Sequence, residues 1–559
     1  MTTPRPAPAS PPEPTAAQEN PRRWFALGIL AAGLAMIVLD GTIVGVALPR
    51  IIDDLGLDLT DAQWVNSLYS MIFAATLLTF GRVADRFGRR RIFVAGVLVF
   101  VAGSVVAGLS GTAAALISAR ALQGVGGAMI LPTTLSSVNA TFRGKDRAAA
   151  FGVWGAVMAG AAAIGPLLGG WLTTSFDWRW IFYVNVPIGV LILAGTAYAV
   201  TESRGAAGGP GVDVDGLLTS GIGLALAVFA LIEGRALGWW RPVADFTVFG
   251  ITWPATAPIS IVPVAIAVAA LFLGLFLLWE RHRAHNGRDA LLDLTLFQVP
   301  TFTWGNLTAL TVAAGEFALV FLLPLYLVDV LGLDIMGAGF VLAAMAVGAF
   351  GSGASARHLA ARMSPSGVVV LGLTLELLGV AATALVIGPD TSPWLIALPM
   401  AAYGIGLGLA SAQLTSLVLR DIPAAQSGSA SATQSTVRQI GSALGSAVAG
   451  TALAGILSAR LPGDLAPIHG LPDRVAGQLV SGTVDSAGGL IASLRDQGTG
   501  GRLGDLGPVV TDALASGFAG ATRGSVLVAA AFLALGLLGA LRVRAADGPR
   551  EDPGSPLPS

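Results

Sequence analysis

The chain has 559 residues, of which 54% are hydrophobic and only 12% charged, against about 25% charge in a soluble globular domain. A net charge of -1 provides no cationic surface for nucleic acid, and the absence of cysteine excludes disulfides and thiol chemistry. What remains is an all-α integral membrane protein of many spans.

Residues 1–20 are rich in Pro, Ala, Thr and Ser without apolar periodicity, and are expected to form a disordered tail, as are residues 546–559. Arg22-Arg23-Trp24-Phe25 resembles an export signal only superficially, because the apolar run behind it is too long and lacks a cleavage site. It reads as a retained first span, from Trp24 to Pro49, with Asp40 inside it. Asp40 lies nine residues before Pro49, or about 13 Å at the helical rise. That is too deep for a short side chain to reach bulk water, so the acid needs a partner or a water-filled path.

A second span over residues 64–80 leads to a tight basic turn, Gly81-Arg82-Val83-Ala84-Asp85-Arg86-Phe87-Gly88-Arg89-Arg90-Arg91. Spans follow to residue 110, over 113–138, over 149–173, and from Trp178-Arg179-Trp180 to residue 200. These six form a first bundle, residues 21–200. A Gly-rich linker and two further spans (217–232 and 261–279) make an insert, residues 201–300. Six more spans near 302–326, 336–356, 366–388, 393–417, 428–457 and 524–542 make a second bundle, residues 301–545. The expected total is about fourteen by length and apolarity. Residues 458–524 read as a long extracellular loop with modest amphipathic stretches such as 475–494, most simply a tolerated insertion, with a gating cap or a partner surface as the alternatives.

The basic residues bias the topology. Arg82, Arg86, Arg89, Arg90, Arg91, Arg143, Lys145, Arg147, Arg281, Arg283 and Arg357 all fall on the side of the amino terminus, while the opposite short loops hold only Arg50, Arg179, Arg235 and Arg241. The positive-inside rule then puts both termini in the cytoplasm of a multi-pass cell-membrane protein.

The fifth span contains Ile164-Gly165-Pro166-Leu167-Leu168-Gly169 and the penultimate one Ile440-Gly441-Ser442-Ala443-Leu444-Gly445. Each is fifth in its bundle, which suggests a two-halved design with a site near the midplane. Chance is the competing explanation, since small residues four apart recur in packed membrane helices.

The basic turn resembles the signature loop of the major facilitator superfamily, with Val83 and Arg90 replacing its usual Leu and Lys. In that resemblance Gly81, Asp85, Arg86, Gly88, Arg89 and Arg90 form a gating motif, with a glycine-pivoted turn and Asp85 latching charge at a neighbouring helix end. Arg120-Ala121-Leu122-Gln123-Gly124 is similar to the superfamily's fourth-helix motif. Arg120 lies at nearly the depth of Asp40, so a direct or water-mediated interaction between them is possible. A neighbouring guanidinium favours a charged carboxylate, whereas burial alone opposes it.

Gly165-Pro166-x-x-Gly169-Gly170, preceded by Ala161, resembles the fifth-helix motif of the superfamily's antiporters, with Pro166 permitting a bend. Leu39-Asp40-x-Thr42-Ile43-Val44 and Trp178-Arg179-Trp180 through Asn185-x-Pro187 are similar to the fourteen-helix drug/proton antiporter branch. Gly45 stands where that branch usually has Asn, and Val328 where it often has Gln, which suggests a different cargo.

Glu316 sits about ten residues before Tyr326, roughly 15 Å down, on a helix that faces the cavity in the superfamily. Asp40, Arg120 and Glu316 are therefore the candidate proton-coupling and substrate residues. Arg438 is a second-half candidate, split between an ion pair and packing. Glu376 reads as a protonated structural acid on a peripheral helix, and Glu233 as interfacial. The four histidines fall in loops, so no metal or other cofactor is expected beyond protons as coupling ion. There is no Walker loop for ATP.

The resemblance implies a proton-coupled antiporter that exports drugs or other amphipathic or cationic small molecules by alternating access. It implies a monomer in the lipid bilayer, not an enzyme. A dedicated exporter of an endogenous antibiotic or pigment is the alternative, ahead of a membrane sensor or enzyme.

Overall fold

In a computed structural model the described residues are 22–142, 144–204, 213–248, 250–286, 288, 290–422 and 426–546. The two expected tails, most of the linker after residue 204, and Arg143 lie outside them, as do the side chains of Lys145, Arg147 and Arg357. The helices are α1 (Arg23–Leu55), α2 (Leu59–Phe87), α3 (Arg89–Gly108), α4 (Ala113–Thr141), α5 (Gly144–Ser175), α6 (Trp180–Tyr183), α7 (Asn185–Ala199), α8 (Val214–Glu233) and α9 (Ile261–His285). They continue with α10 (Pro300–Leu325), α11 (Ile335–Met363), α12 (Pro365–Val386), α13 (Pro393–Leu419), α14 (Ser427–Leu465), α15 (Asp473–Asp485), α16 (Gly489–Gln497) and α17 (Leu506–Ala546). Among the described residues, thirteen stretches of helix are long and apolar enough to cross a membrane. The 32-residue α5 is a further long helix, packed along α1 and α11.

The helices fall into two groups with one pairing scheme. In the first, α1 packs on α5 and α7, α4 on α2 and α3, and α3 on α7. In the second, α10 packs on α14 and α17, α13 on α11 and α12, and α12 on α17. The glycines repeat the register. A Cβ on Gly103 of α3 would lie 2.9 Å from the Gln123 nitrogen and 3.2 Å from the Ala119 carbonyl oxygen on α4. A Cβ on Gly379 of α12 would lie 2.7 Å from the Tyr403 nitrogen and 2.7 Å from the Pro399 carbonyl oxygen on α13. Gly96 and Gly372, each seven residues earlier, make the next such approach, at Gly126 and Ala410 respectively. The Ile-Gly-x-x-Leu-Gly frame has a matching cause: Gly165 and Gly169 of α5 admit Thr42 and Ile43 of α1, and Gly441 and Gly445 of α14 admit Leu310 and Ala314 of α10.

The halves meet through α5 on α11, α2 on α14 and α1 on α10. Along α2 and α14 the contact is polar and buried. Gln63 donates to the Ala447 carbonyl at 2.8 Å, and the hydroxyls of Ser67 and Ser446, and of Ser70 and Ser442, lie 2.9 Å apart. The insert closes this seam from outside: α8 packs on α2 and α14, Trp64 donates to Glu233 at 2.9 Å, and Thr451 donates to the Leu231 carbonyl at 2.8 Å. Glu233 thus has a specific partner. The loop between α8 and α9 carries a short hairpin, β1 (Phe246–Val248) paired antiparallel with β2 (Ile251–Trp253).

Two expectations change. Residues 458–524 are not a long loop: α14 runs on to Leu465, α17 begins at Leu506, and α15 and α16 lie between them. These polar, amphipathic helices pack on α14 and α17, so burial of one face supplies what intrinsic pattern did not show. The basic turn is also much shorter than expected, because α2 continues to Phe87 and α3 starts at Arg89. Gly81 is inside α2, and the pivot is Gly88 alone, at φ 117° and ψ 127°. A side chain there would be strained and would meet the Glu202 carboxylate at 2.6–2.7 Å.

Candidate functional site

Asp40 and Arg120 are both buried, at 0% and 1% exposure. Arg120 NH1 donates to Asp40 Oδ2 and to Gln123 Oε1, the latter at 2.9 Å. Asp40 Oδ1 accepts from Gln123 Nε2 at 2.8 Å and from Asn185 Nδ2 at 3.1 Å. Gln123 and Asn185 also donate to Ser104 Oγ, at 2.9 and 3.2 Å. Arg120 Nε reaches the Val65 carbonyl at 3.3 Å, and its guanidinium lies 4.2 Å from the centre of the Tyr69 ring. One carboxylate therefore ties α1 to α4 and α7 and, through these, to α2 and α3.

The pairing of Asp40 with Arg120 is direct. It points into the first bundle, not into an open water path, so burial of the pair is compensated by hydrogen bonds at both partners. Arg120 and Gln123 were legible as a motif. Asn185 stood in a quoted pattern without a role, and Ser104 carried no signal except being a polar residue in an apolar span.

Glu316 does not join this network. Its Oε2 lies 3.9 Å from Arg438 NH2, with the two side chains 16% and 33% exposed. This answers the split over Arg438 in favour of an ion pair. The rungs at Ser442 and beyond are buried, whereas Arg438, one turn earlier on α14, is partly open.

The signature motif is a latch within the first half. Asp85 Oδ1 accepts from Arg89 Nε at 2.9 Å and NH2 at 2.8 Å, and Arg89 NH1 donates to the Ser136 carbonyl on α4 at 3.1 Å. The Arg90 backbone nitrogen donates to Glu202 Oε1 at 3.0 Å, tying the junction to the end of α7. Arg86 lies beside Phe87, its guanidinium 5.6 Å from the ring centre.

Along α5, Gly165 and Gly169 fit α1, and Gly170 faces α11, where a Cβ would lie 3.1 Å from the Ile335 carbonyl oxygen. Pro166 offers its carbonyl to Gly339 of α11, 2.8 Å from a Cβ placed there. Gly45 has a packing reason: a Cβ would sit 2.7 Å from Val320 Cγ1 and 3.2 Å from the Val320 carbonyl oxygen. Here α1 of one half touches α10 of the other. Beside it, Thr42, Val46, Pro166, Leu319, Val320 and Met345 help to line an apolar cavity of about 20 Å³, room for a water but far short of the roughly 300–1,000 Å³ of a small-molecule site. Among the described residues no cluster of three metal-ligating side chains occurs.

Comparison with known proteins places these features. A family model described as Major Facilitator Superfamily matches residues 30–446. The Probable actinorhodin transporter of Streptomyces coelicolor is 32% identical over 459 residues, covering 80% of this chain and 76% of that protein. The Tetracenomycin C resistance and export protein of Streptomyces glaucescens is 30% identical over 522 residues, 92% of this chain and 91% of that protein. The Multidrug efflux pump LfrA of Mycolicibacterium smegmatis is 29% identical over 439 residues, 78% and 82%. Among solved structures, the crystal structure of a bacterial homolog to the human lysosomal transporter Spinster aligns over 96% of this chain and 99% of its own, at TM-score 0.61 and 19% identity, a likeness of fold. With residues 30–446 matched by the family model and relatives of this identity over most of both lengths, the chain belongs to the Major Facilitator Superfamily.

Proposed function

We propose that this protein exports drugs or other amphipathic small molecules in exchange for protons, by alternating access, with both termini in the cytoplasm. The observation that carries the reading is the buried Asp40–Arg120 pair with its Gln123, Asn185 and Ser104 bonds. A proton arriving at Asp40 removes the charge that holds Arg120, and loosens α1 from α4 and α7. Rebinding of Arg120 to the ionised acid restores the joint. Proton binding thereby becomes a packing event, the form of coupling that a two-state transporter needs.

Glu316, beside Arg438, is the proposed contact for cationic cargo. The small apolar cavity beside Thr42 and Val46 of α1 is the proposed start of an apolar cargo path. The asymmetry of the basic residues supports the cytoplasmic placement of the termini. The single-chain pairing of two complete halves supports a monomer.

The relatives' names supply the cargo class: they include multidrug efflux pumps and a Tetracenomycin C resistance and export protein. The actinorhodin, tetracenomycin and puromycin names favour, as second reading, dedicated export of one metabolite.

Proteoliposomes with an imposed pH gradient and ethidium as probe test the proposal. Gradient-driven ethidium movement that is lost in Asp40→Asn is expected. Movement that ignores the gradient, or survives Asp40→Asn unchanged, overturns the coupling assignment.

A further inference from the structure

Glu376 of α12 is 0% exposed, and neither of its carboxyl oxygens has a hydrogen-bonding protein group in reach. The Tyr403 hydroxyl on α13, also buried, likewise has no hydrogen-bond partner, and Glu316 Oε2 has only its 3.9 Å ion pair with Arg438. Unsatisfied buried polar atoms are destabilising, and this concentration of them needs a reason.

Packing alone does not supply that reason. The glycine register shared by the two halves aligns Gly103 with Gly379 and Gln123 with Tyr403, which puts Glu376 where the first half has Phe100. A Cβ on Gly126 would meet Phe100 at 2.6–2.8 Å, and one on Gly406 would meet the Glu376 nitrogen at 2.6 Å and its Cγ at 3.0 Å. Phe100 is fully buried and apolar, so the position accepts a hydrocarbon side chain. By the same register Met400 stands in the place of Arg120. The second half therefore keeps a buried acid but has no arginine clamped to it.

The groups around Glu376 are few. Tyr403 faces it from α13, and the charges that reach it are Glu316 from α10 and Arg438 from α14. On α17, Arg523 is engaged beyond the end of α12, donating to the Ile387 carbonyl at 2.6 Å. His358 and Arg362, near the end of α11, are exposed.

Resting on the proton-coupled reading above, we propose that Glu376 is a second proton-binding site, which exchanges its proton with Glu316. The O–H bond breaks at the Glu316 carboxyl and forms at the Glu376 carboxylate, or the reverse, with no change in net charge. Arg438 pairs with whichever acid is left ionised. The 3.9 Å Glu316–Arg438 pair is the state in which Glu376 holds the proton.

Infrared difference spectra of the full chain in lipid nanodiscs, titrated with acid and base, test this directly. Wild type is expected to show the carbonyl band of a protonated carboxyl in an apolar site. That band should vanish in Glu376→Gln and move its pH midpoint in Glu316→Gln. A band unchanged in Glu376→Gln overturns the proposal, and so does one indifferent to Glu316→Gln. Should Glu376→Gln not fold, Glu376→Phe, which copies the first half, replaces it with the same two outcomes. In proteoliposomes Glu376→Gln should also lower the protons moved per ethidium. If wild-type ethidium movement ignores the gradient, the transport reading fails while the infrared band still reports on Glu376.

Discussion

Arg120 of α4 and Asp40 of α1 form an ion pair with both side chains withdrawn from solvent, and every other polar contact of Asp40 comes from Gln123 and Asn185. Three helices are joined at one carboxylate, so its charge state and the packing of the first half are a single variable.

Removing one partner should leave an uncompensated buried charge. Arg120→Met is expected to destabilise the first half by about 3–5 kcal/mol, and Asp40→Asn/Arg120→Met to recover much of that loss. Thermal unfolding of the purified variants measures both. Recovery of stability in the double variant without recovery of proton-driven transport separates coupling from folding. Equal stability of all three would show that the pair does not hold the bundle.

The polar seam between the halves lends itself to cross-linking, since the chain has no cysteine of its own. The hydroxyls of Ser70 and Ser442 are 2.9 Å apart, close to the geometry of a disulfide, whose Cβ atoms lie about 3.5–4.5 Å apart. Ser70→Cys/Ser442→Cys should cross-link under mild oxidation, stop ethidium movement, and regain it on reduction. Transport that continues in the cross-linked protein would mean that this seam never opens.

Gly45→Ala should weaken the approach of α1 to α10, because the new methyl meets both the side chain and the carbonyl of Val320. Val320→Ala removes only the side-chain part and should restore part of the loss. The readout is labelling of a single cysteine introduced at Val46 by a membrane-impermeant reagent, faster in Gly45→Ala than in the parent. An unchanged rate would return Gly45 to a role in cargo choice.

At the α2–α3 junction, stability and function should come apart. Gly88→Ala forces a side chain into a glycine-only conformation against Glu202, at about 1–3 kcal/mol for the backbone alone, and should lower the unfolding temperature. Asp85→Asn breaks a half-exposed pair worth about 0.2–1 kcal/mol and should leave that temperature nearly unchanged while slowing transport. A large thermal shift in Asp85→Asn would make the latch structural.

The far-side helices grip the end of α10. Arg495 of α16 donates to the Asp329 and Val330 carbonyls at 3.3 and 2.6 Å. Arg495→Ala should therefore speed hydrogen exchange over residues 326–332 without touching the rest of α10. Uniform exchange along α10 in both proteins would deny the grip.

The sequence by itself determined that the chain is a bundle of membrane-crossing helices, where most of them lie, and that Asp40 and Arg120 sit at nearly one depth, within possible reach of each other. These follow from local properties: runs of apolar residues long enough for a bilayer, and charges too costly to leave there without a partner. It also placed Glu316 and Arg438 in mid-span, but not as a pair. Only the tertiary structure decided that Asp40 turns into its own bundle, through Gln123, Asn185 and Ser104, while Glu316 turns to Arg438. Depth along a helix can be read from spacing, but the direction a side chain faces depends on which helices pack around it. The same limit applied to Gly45, whose reason is the Val320 carbonyl of a distant helix, and to residues 458–524, whose helices are stabilised by burial against α14 and α17. It applied most of all to Glu376, an acid whose place in the glycine register is the one that Phe100 holds in the first half.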